Sequence, residues 1–390
     1  MDPLQYLESL GNTHPQLSNW CNTLADLYQR KLWHQLTQAL EDFIILSVFQ
    51  DGDAMLQLYH NFIADFETNI NLLKLANLVV QVSRQYPTRE ASIDFLEGTI
   101  EKLQAIKEQR IEEPIVFIMM EKAFLVLEEG NPKECKKIIE HGKGILDSVT
   151  DVDSSVYAIY YSVLSQYHRA CQDYDEFHKS SMLYLARAET FSLPESFKQG
   201  LAYDLGLAAL LGDNIYHIGE LLAHPIIKNL LGTNGEWLFR VLMGFNSGDL
   251  FHYKKLRRVY KNAIQAQPAL VQNKERLLEK ARVLCLMEII FSQTPEARTI
   301  PLSVIAQRTE LPLEDVENVL MKSFSAQLIE GVIDQVEGTV HVSWLRPRVL
   351  ETSQLECLHA RIDCWKDKVG VALGSILDQN PYLKDLLWSL

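Results

Sequence analysis

Up to about residue 292 the apolar residues return at helical intervals. Leu72, Leu73, Leu75, Ala76, Leu78, Val79 and Val82 follow that spacing. So do Ile115, Ile118, Met119, Ala123 and Leu127, and again Tyr157, Tyr160, Tyr161, Leu164 and Tyr167. A period near 3.6 predicts amphipathic α-helices whose aromatic members serve the core. Short polar turns punctuate them at Gly130-Asn131-Pro132, Gln172-Asp173, Gly212-Asp213 and Gly248-Asp249, which lie 42, 40 and 36 residues apart. A small residue followed by Asn or Asp suits a left-handed helix end and the start of the next helix. Recurrence at the length of a helix pair predicts an α-solenoid of degenerate, TPR-like two-helix repeats. Gly142-Lys143-Gly144 reads as another helix–helix turn, since the spacing of a phosphate-binding loop is absent.

Beyond Phe291 the pattern changes. Thr294-Pro295 and Pro301 punctuate a loop, and Leu302, Val304, Ile305 and Ala306 predict a brief helix. Leu311-Pro312 opens a second helix with Glu314, Asp315 and Glu317 at its positive end and Val316, Val319, Leu320 and Phe324 on its buried face. Two β-like runs follow, Leu328 to Asp334 and Thr339 to Trp344. In the second, Val340, Val342 and Trp344 alternate with Thr339, His341 and Ser343. Helix, turn, helix, hairpin is the order of a winged helix. The hairpin is expected to offer a sheet edge to a neighbour through Val340, Val342 and Trp344.

The last long helix is predicted from about Thr352 to Asp378. Leu355, Leu358, Ile362, Trp365, Val369, Ala372 and Ile376 alternate spacings of three and four, a heptad stripe flanked by His359, Arg361, Lys366 and Lys368. Leu355, Leu358, Ile362, Trp365 and Val369 are therefore candidate contacts to a partner helix. The fold class is mostly α: a repeat arm over 1–280, a winged helix over 281–350, and an assembly helix and tail over 351–390.

Charge narrows the function. The chain carries 37 Lys and Arg against 51 Asp and Glu, a net charge of −14, which opposes binding to nucleic acid or an anionic membrane. Within 299–344 only Arg308 and Lys322 are basic, against seven acids, so DNA reading by the winged helix is not expected. No apolar stretch predicts a membrane span; the longest, Pro114 to Leu127, is broken by Glu121 and Lys122. Met1-Asp2-Pro3-Leu4 lacks the basic and apolar regions of a signal peptide. Six scattered cysteines, without a Cys-x-x-Cys pair, read as buried free thiols of a reducing compartment.

Catalytic constellations are not expected. Cys135 and His141 lie on different faces of one helix, Cys357 and Cys364 read as packing, and no His-Glu-x-x-His occurs. The expectation is a protein with no catalytic residue, no metal site and no cofactor.

A helical arm, a winged helix and a terminal helix together resemble the PCI family, named for the proteasome lid, the signalosome and a translation initiation factor. Six stretches resemble the proteasome-lid branch of that family along almost the whole chain. They are KLWHQLT at 31–37, LYHNFIADFE at 58–67, LAALLGDNIYHIGELLAHPI at 207–226, FNSGDL at 245–250, LCLMEIIF at 284–291 and HVSWLRPRVL at 341–350. Residues 85–153 fit less closely. The resemblance implies a structural lid subunit in the cytoplasm and nucleus that supports ubiquitin-dependent protein degradation. Its implied partners are other PCI subunits, MPN-type subunits including the deubiquitinase, and a neighbouring ubiquitin receptor. The alternatives are a PCI scaffold of the signalosome or the translation factor, and a winged-helix nucleic-acid adaptor.

Overall fold

A computed structural model describes residues 3–44, 46, 53–105, 111–188, 193–293, 298–349 and 352–379. The chain divides into two compact units, Met1–Leu193 and Pro194–Leu390.

The first unit holds α1 (Pro3–Thr13), α2 (Ser18–Gln29), α3 (Trp33–Ile44), α4 (Ala54–Asn61), α5 (Leu72–Ser83), α6 (Arg89–Ala105), α7 (Glu112–Glu128), α8 (Pro132–Ser148), α9 (Ser154–Ala170) and α10 (Tyr174–Arg187). The apolar stretch that approached membrane character is α7. It packs against α5, α6, α8 and α9, so it is apolar nearly all round because it is enclosed nearly all round. Its interrupting Glu121 is buried and takes a two-pronged hydrogen bond from Arg84, 2.7 Å from Nε and 3.1 Å from Nη2. Gly142 lies inside α8 and is not a turn. A Cβ there would stand 2.6 Å from Met120 Cε, so the glycine admits the neighbouring helix.

Two of the expected turns join α7 to α8 and α9 to α10, with left-handed backbone at Gly130 (φ 85°) and Gln172 (φ 58°). Asp173 then caps α10 by accepting from the Glu176 amide.

The second unit holds α11 (Glu195–Leu211), α12 (Ile218–Ala223), α13 (Glu236–Asn246), α14 (Leu250–Val259), α15 (Lys261–Gln265), α16 (Pro268–Gln272) and α17 (Lys274–Phe291). It continues with β1 (Thr299–Pro301), α18 (Leu302–Thr309), α19 (Leu313–Ser325), β2 (Ile329–Asp334), β3 (Thr339–Leu345) and α20 (Thr352–Gln379). Gly248 joins α13 to α14 at φ 65°, and Asp249 caps α14 through the Phe251 and His252 amides. A Cβ on Gly248 would lie 2.7 Å from Glu288 Cβ and 2.9 Å from the Leu284 carbonyl oxygen of α17. Gly248→Ala is therefore expected to destabilise the unit by about 1–3 kcal/mol, read as a lower midpoint in urea unfolding with helix content otherwise unchanged.

The turn at Gly212 departs from expectation. Its backbone is extended (φ −63°, ψ 141°), and Asp213 pairs with Arg276 while His217 occupies the N-cap position of α12. The carbonyls at the end of α11 are met instead by Lys280 of α17. Its buried Nζ donates to Ala209 and Gly212 at 2.7 Å each.

The sheet is antiparallel, in the order β1-β3-β2. β1 was read as loop because it has three residues and includes Pro301, yet Ile300 is buried opposite Val340. A proline is tolerated there because β1 is an edge strand. α17 spans the expected domain boundary at residue 280 and packs on α13 and α14 as well as on α18, α19 and β3.

Candidate assembly surface

The winged helix is built as its pattern foretold, but the hairpin faces inward. Val340 and Val342 lie in the core, Val342 only 1% exposed, and β3 is the central strand. Neither side chain is available to a neighbour, which corrects their assignment as contact residues. The Val342 amide donates to the Arg298 carbonyl at 3.0 Å, so Val342→Pro would break the sheet itself and not an outer contact. Trp344 leaves the inward row. Register slips by one residue between Glu330 and Gly331, Ser343 becomes the extra residue, and the indole emerges 40% exposed. Gly331 permits the slip, since a Cβ there would stand 2.2 Å from the His341 carbonyl oxygen. The outward features are the β2 edge strand with Val332 exposed and Val336 in the turn beyond it. Alternation alone did not disclose that edge, because it gives the two faces of a strand without saying which one meets the core.

One of the two cations of this module is engaged nearby, and one of its acids as well. Lys322 of α19 pairs with Glu279 of α17, and Glu310 pairs with Lys254 of α14. Glu314 and Asp315 stand exposed in the first turn of α19, where a DNA-reading helix would meet phosphates.

Three of the stretches that carry the PCI resemblance converge at one point. Arg348, just beyond β3, donates to Glu288 of α17 at 2.7 Å and to the carbonyl of Asn246 at the end of α13. The guanidinium is mostly buried, at 12% exposure. This tether fixes the chain leaving the winged helix four residues before α20 begins.

α20 has 28 residues, about 42 Å at 1.5 Å per residue. Among the described residues no other element packs along it, and none of its described side chains is buried. Leu355, Leu358, Ile362 and Val369 are exposed, and Trp365 is 68% exposed. The Ile376 and Cys357 side chains lie outside the described residues. A contiguous apolar stripe open to water on a helix of this length is a candidate interaction surface. Its sequence signal was the heptad spacing, which needs no tertiary information to read.

Nucleophilic chemistry finds no support in the thiols. Cys135 is fully buried, and burial pushes its thiol up to about 11, while His141 is exposed on another face. Burial also raises Cys21 and Cys285, whereas Cys171 and Cys364 are exposed. Because the thiolate is the reactive form, iodoacetamide at neutral pH is expected to label Cys171 and Cys364 and spare Cys21, Cys135 and Cys285. Rapid labelling of Cys135 in the folded chain, mapped by peptide mass, would contradict this. A cavity of about 650 Å³ in the second unit is floored by Trp237, Val241 and Phe245 and rimmed by Arg257, Arg258 and Lys261. Its lining includes no Cys, Ser, His, Asp or Glu. Among the described residues no cluster of three metal-ligating side chains occurs, and no helix is long and apolar enough to cross a membrane.

Comparison with known proteins places these features. The family model described as "PSD13 N-terminal repeats" matches residues 20–242, and the PCI domain model matches 255–344. The chain is 60% identical to "26S proteasome non-ATPase regulatory subunit 13 homolog A" of Arabidopsis thaliana, over 98% of this chain and 99% of that protein. The chain belongs to the 26S proteasome non-ATPase regulatory subunit 13 family. Similarity extends to the subunit 13 protein of Dictyostelium discoideum, 36% identical over 97% of each chain. It also reaches "26S proteasome regulatory subunit RPN9" of Saccharomyces cerevisiae, 30% identical over 91% of each. In this subunit 13 family chain the repeat match ends within α13 and the PCI match begins within α14. The tether of Arg348 to Asn246 and Glu288 therefore joins the exit of the PCI region to the last helix of the repeats.

Proposed function

We propose that the chain is a non-catalytic scaffold subunit of the lid of the 26S proteasome regulatory particle, acting in ubiquitin-dependent protein degradation. The observation that carries this reading is similarity to proteasome regulatory subunits over nearly the full length of both chains. The exposed heptad stripe of α20 supports it physically, since a folded chain that leaves such a surface open is built for a partner. The seam formed by Leu355, Leu358, Ile362, Trp365 and Val369 joins a helical bundle, while Trp344 and the edge of β2 face a neighbouring PCI subunit. MPN-type subunits, among them the deubiquitinase, and a ubiquitin receptor are the other neighbours, in cytoplasm and nucleus. Full-length similarity to proteasome subunits favours the proteasome lid over the signalosome or a translation factor. Affinity purification of the tagged chain tests this. Stoichiometric recovery of proteasome regulatory subunits is expected, and recovery of a different PCI complex in their place would refute it.

A further inference from the structure

The stripe on α20 says that a helix docks there; the residues beside it say which kind. With Leu355, Ile362, Val369 and Ile376 at position a of the heptad, Leu358, Trp365 and Ala372 fall at d. The flanking e positions are then His359, Lys366 and Leu373, and the g positions are Gln354, Arg361, Lys368 and Ser375. No acid occupies either flank. The helix does contain acids, but Glu356 and Asp363 stand at b, Asp367 at f and Asp378 at c; of these Asp363 reaches a flank, its carboxylate 3.0 Å from the imidazole of His359, which leaves Arg361, Lys366 and Lys368 as the cations that carry the argument. Arg361, Lys366 and Lys368 are exposed, and α20 has no other described element packed along it to supply a carboxylate. A local row of cations borders the seam of a chain whose net charge is −14.

Charges at e and g decide partner and orientation in coiled-coil contacts. Two copies of this chain paired in parallel would set Arg361 of each against Lys366 of the other, because g meets the e position five residues on. Paired antiparallel, g faces g and e faces e, which again opposes cation to cation. No register relieves this, since neither flank offers a negative residue. The apolar seam alone would favour self-association, so the flanks act against it.

We propose that α20 docks on a partner helix whose own flanks are lined with Glu or Asp, and that the same basic flanks keep two copies of this chain apart. This rests on the reading of the α20 stripe as the assembly seam. Basic flanks also shield the apolar stripe with long aliphatic stems, whose charged ends then meet the partner's carboxylates at the rim.

The test uses the full-length chain, tagged and expressed beside the untagged wild type, with the ratio of the two measured in purified proteasome. The reversed variant R361E/K366E/K368E is expected to fall by about tenfold or more in incorporation. The charge-preserving variant R361K/K366R/K368R should incorporate as the wild type does. The seam variant L358A/I362A should be lost as well. Should the reversed chain incorporate normally while the seam variant is lost, the charge inference is overturned and the seam reading stands. If the seam variant also incorporates normally, the seam reading itself fails. Circular dichroism and thermal unfolding of the reversed chain control for folding, and both should match wild type because the three side chains lie on exposed helix. Sedimentation supplies a second arm that needs no proteasome. Wild type alone and reversed chain alone should each run as monomers, and an equimolar mixture should show pairing that fades as salt rises. A wild-type dimer abolished by L358A/I362A would overturn the proposed self-repulsion.

Discussion

Trp365→Ala is expected to leave the free chain as stable as wild type and to lower its entry into the proteasome by roughly 30- to 700-fold. The two halves of that result have one cause. The indole is 68% exposed on α20, so truncating it removes little buried area from the isolated protein, and exposed substitutions of this kind stay within about 0.5 kcal/mol. In the assembled seam the same ring sits mid-stripe between Ile362 and Val369. A central aromatic anchor lost from an interface costs about 2–4 kcal/mol, which converts to the stated range. Removing residues 352–390 should do the same more completely: a soluble, helical protein with unchanged unfolding midpoint that no longer co-purifies with the complex. If that truncated chain instead unfolds at a markedly lower temperature, α20 belongs to the chain's own core, and the stripe is not an external seam.

The second large effect concerns stability. Lys280→Met keeps the aliphatic stem and removes the ammonium that donates to the Ala209 and Gly212 carbonyls and lies over the Tyr216 ring at 5.6 Å. Those carbonyls close α11, and burial leaves them short of water as a substitute partner. The loss is expected at about 3 kcal/mol or more, a fall of roughly 6–12 °C in the transition of a unit this size. Differential scanning calorimetry measures it directly. An unchanged midpoint would mean that the end of α11 finds other donors.

These cases mark where the sequence could be read and where it could not. α5, α7 and α9 were legible because their apolar residues recur at the period of the helix itself. The winged helix was legible from local grammar as well, with Pro312 before α19 and alternation along β3. What escaped was set by distant partners. Gly212 looks like the glycines at 130 and 248, yet a lysine 68 residues later replaces the left-handed cap. Gly142 and Gly144 resemble a turn until both are seen inside α8, with Met120 filling the space a side chain on Gly142 would take. β1 has no pattern of its own and exists as a strand only through pairing with β3. Val340 and Val342 share one face as the alternation says, but that face is the buried one, so they are not the contact residues expected of a sheet edge. Trp344 was grouped with them because the bulge at Ser343, in its own strand, is invisible in an alternating string. The α20 stripe stands exposed, and among the described residues no other element packs along it.

That openness has a consequence for the cell's accounting of this protein. With the seam covered as proposed, a copy that has found its complex presents no apolar ridge there, and a copy made in excess presents about 25 Å of one, from Leu355 to Ala372. The distinction between wanted and surplus molecules is thus written on the outside of the fold, without any modification or change of shape. On that proposal, holding factors that bind exposed apolar helix would compete for the orphan and not for the incorporated subunit, and supply of this chain would be coupled to supply of its partner through a single surface.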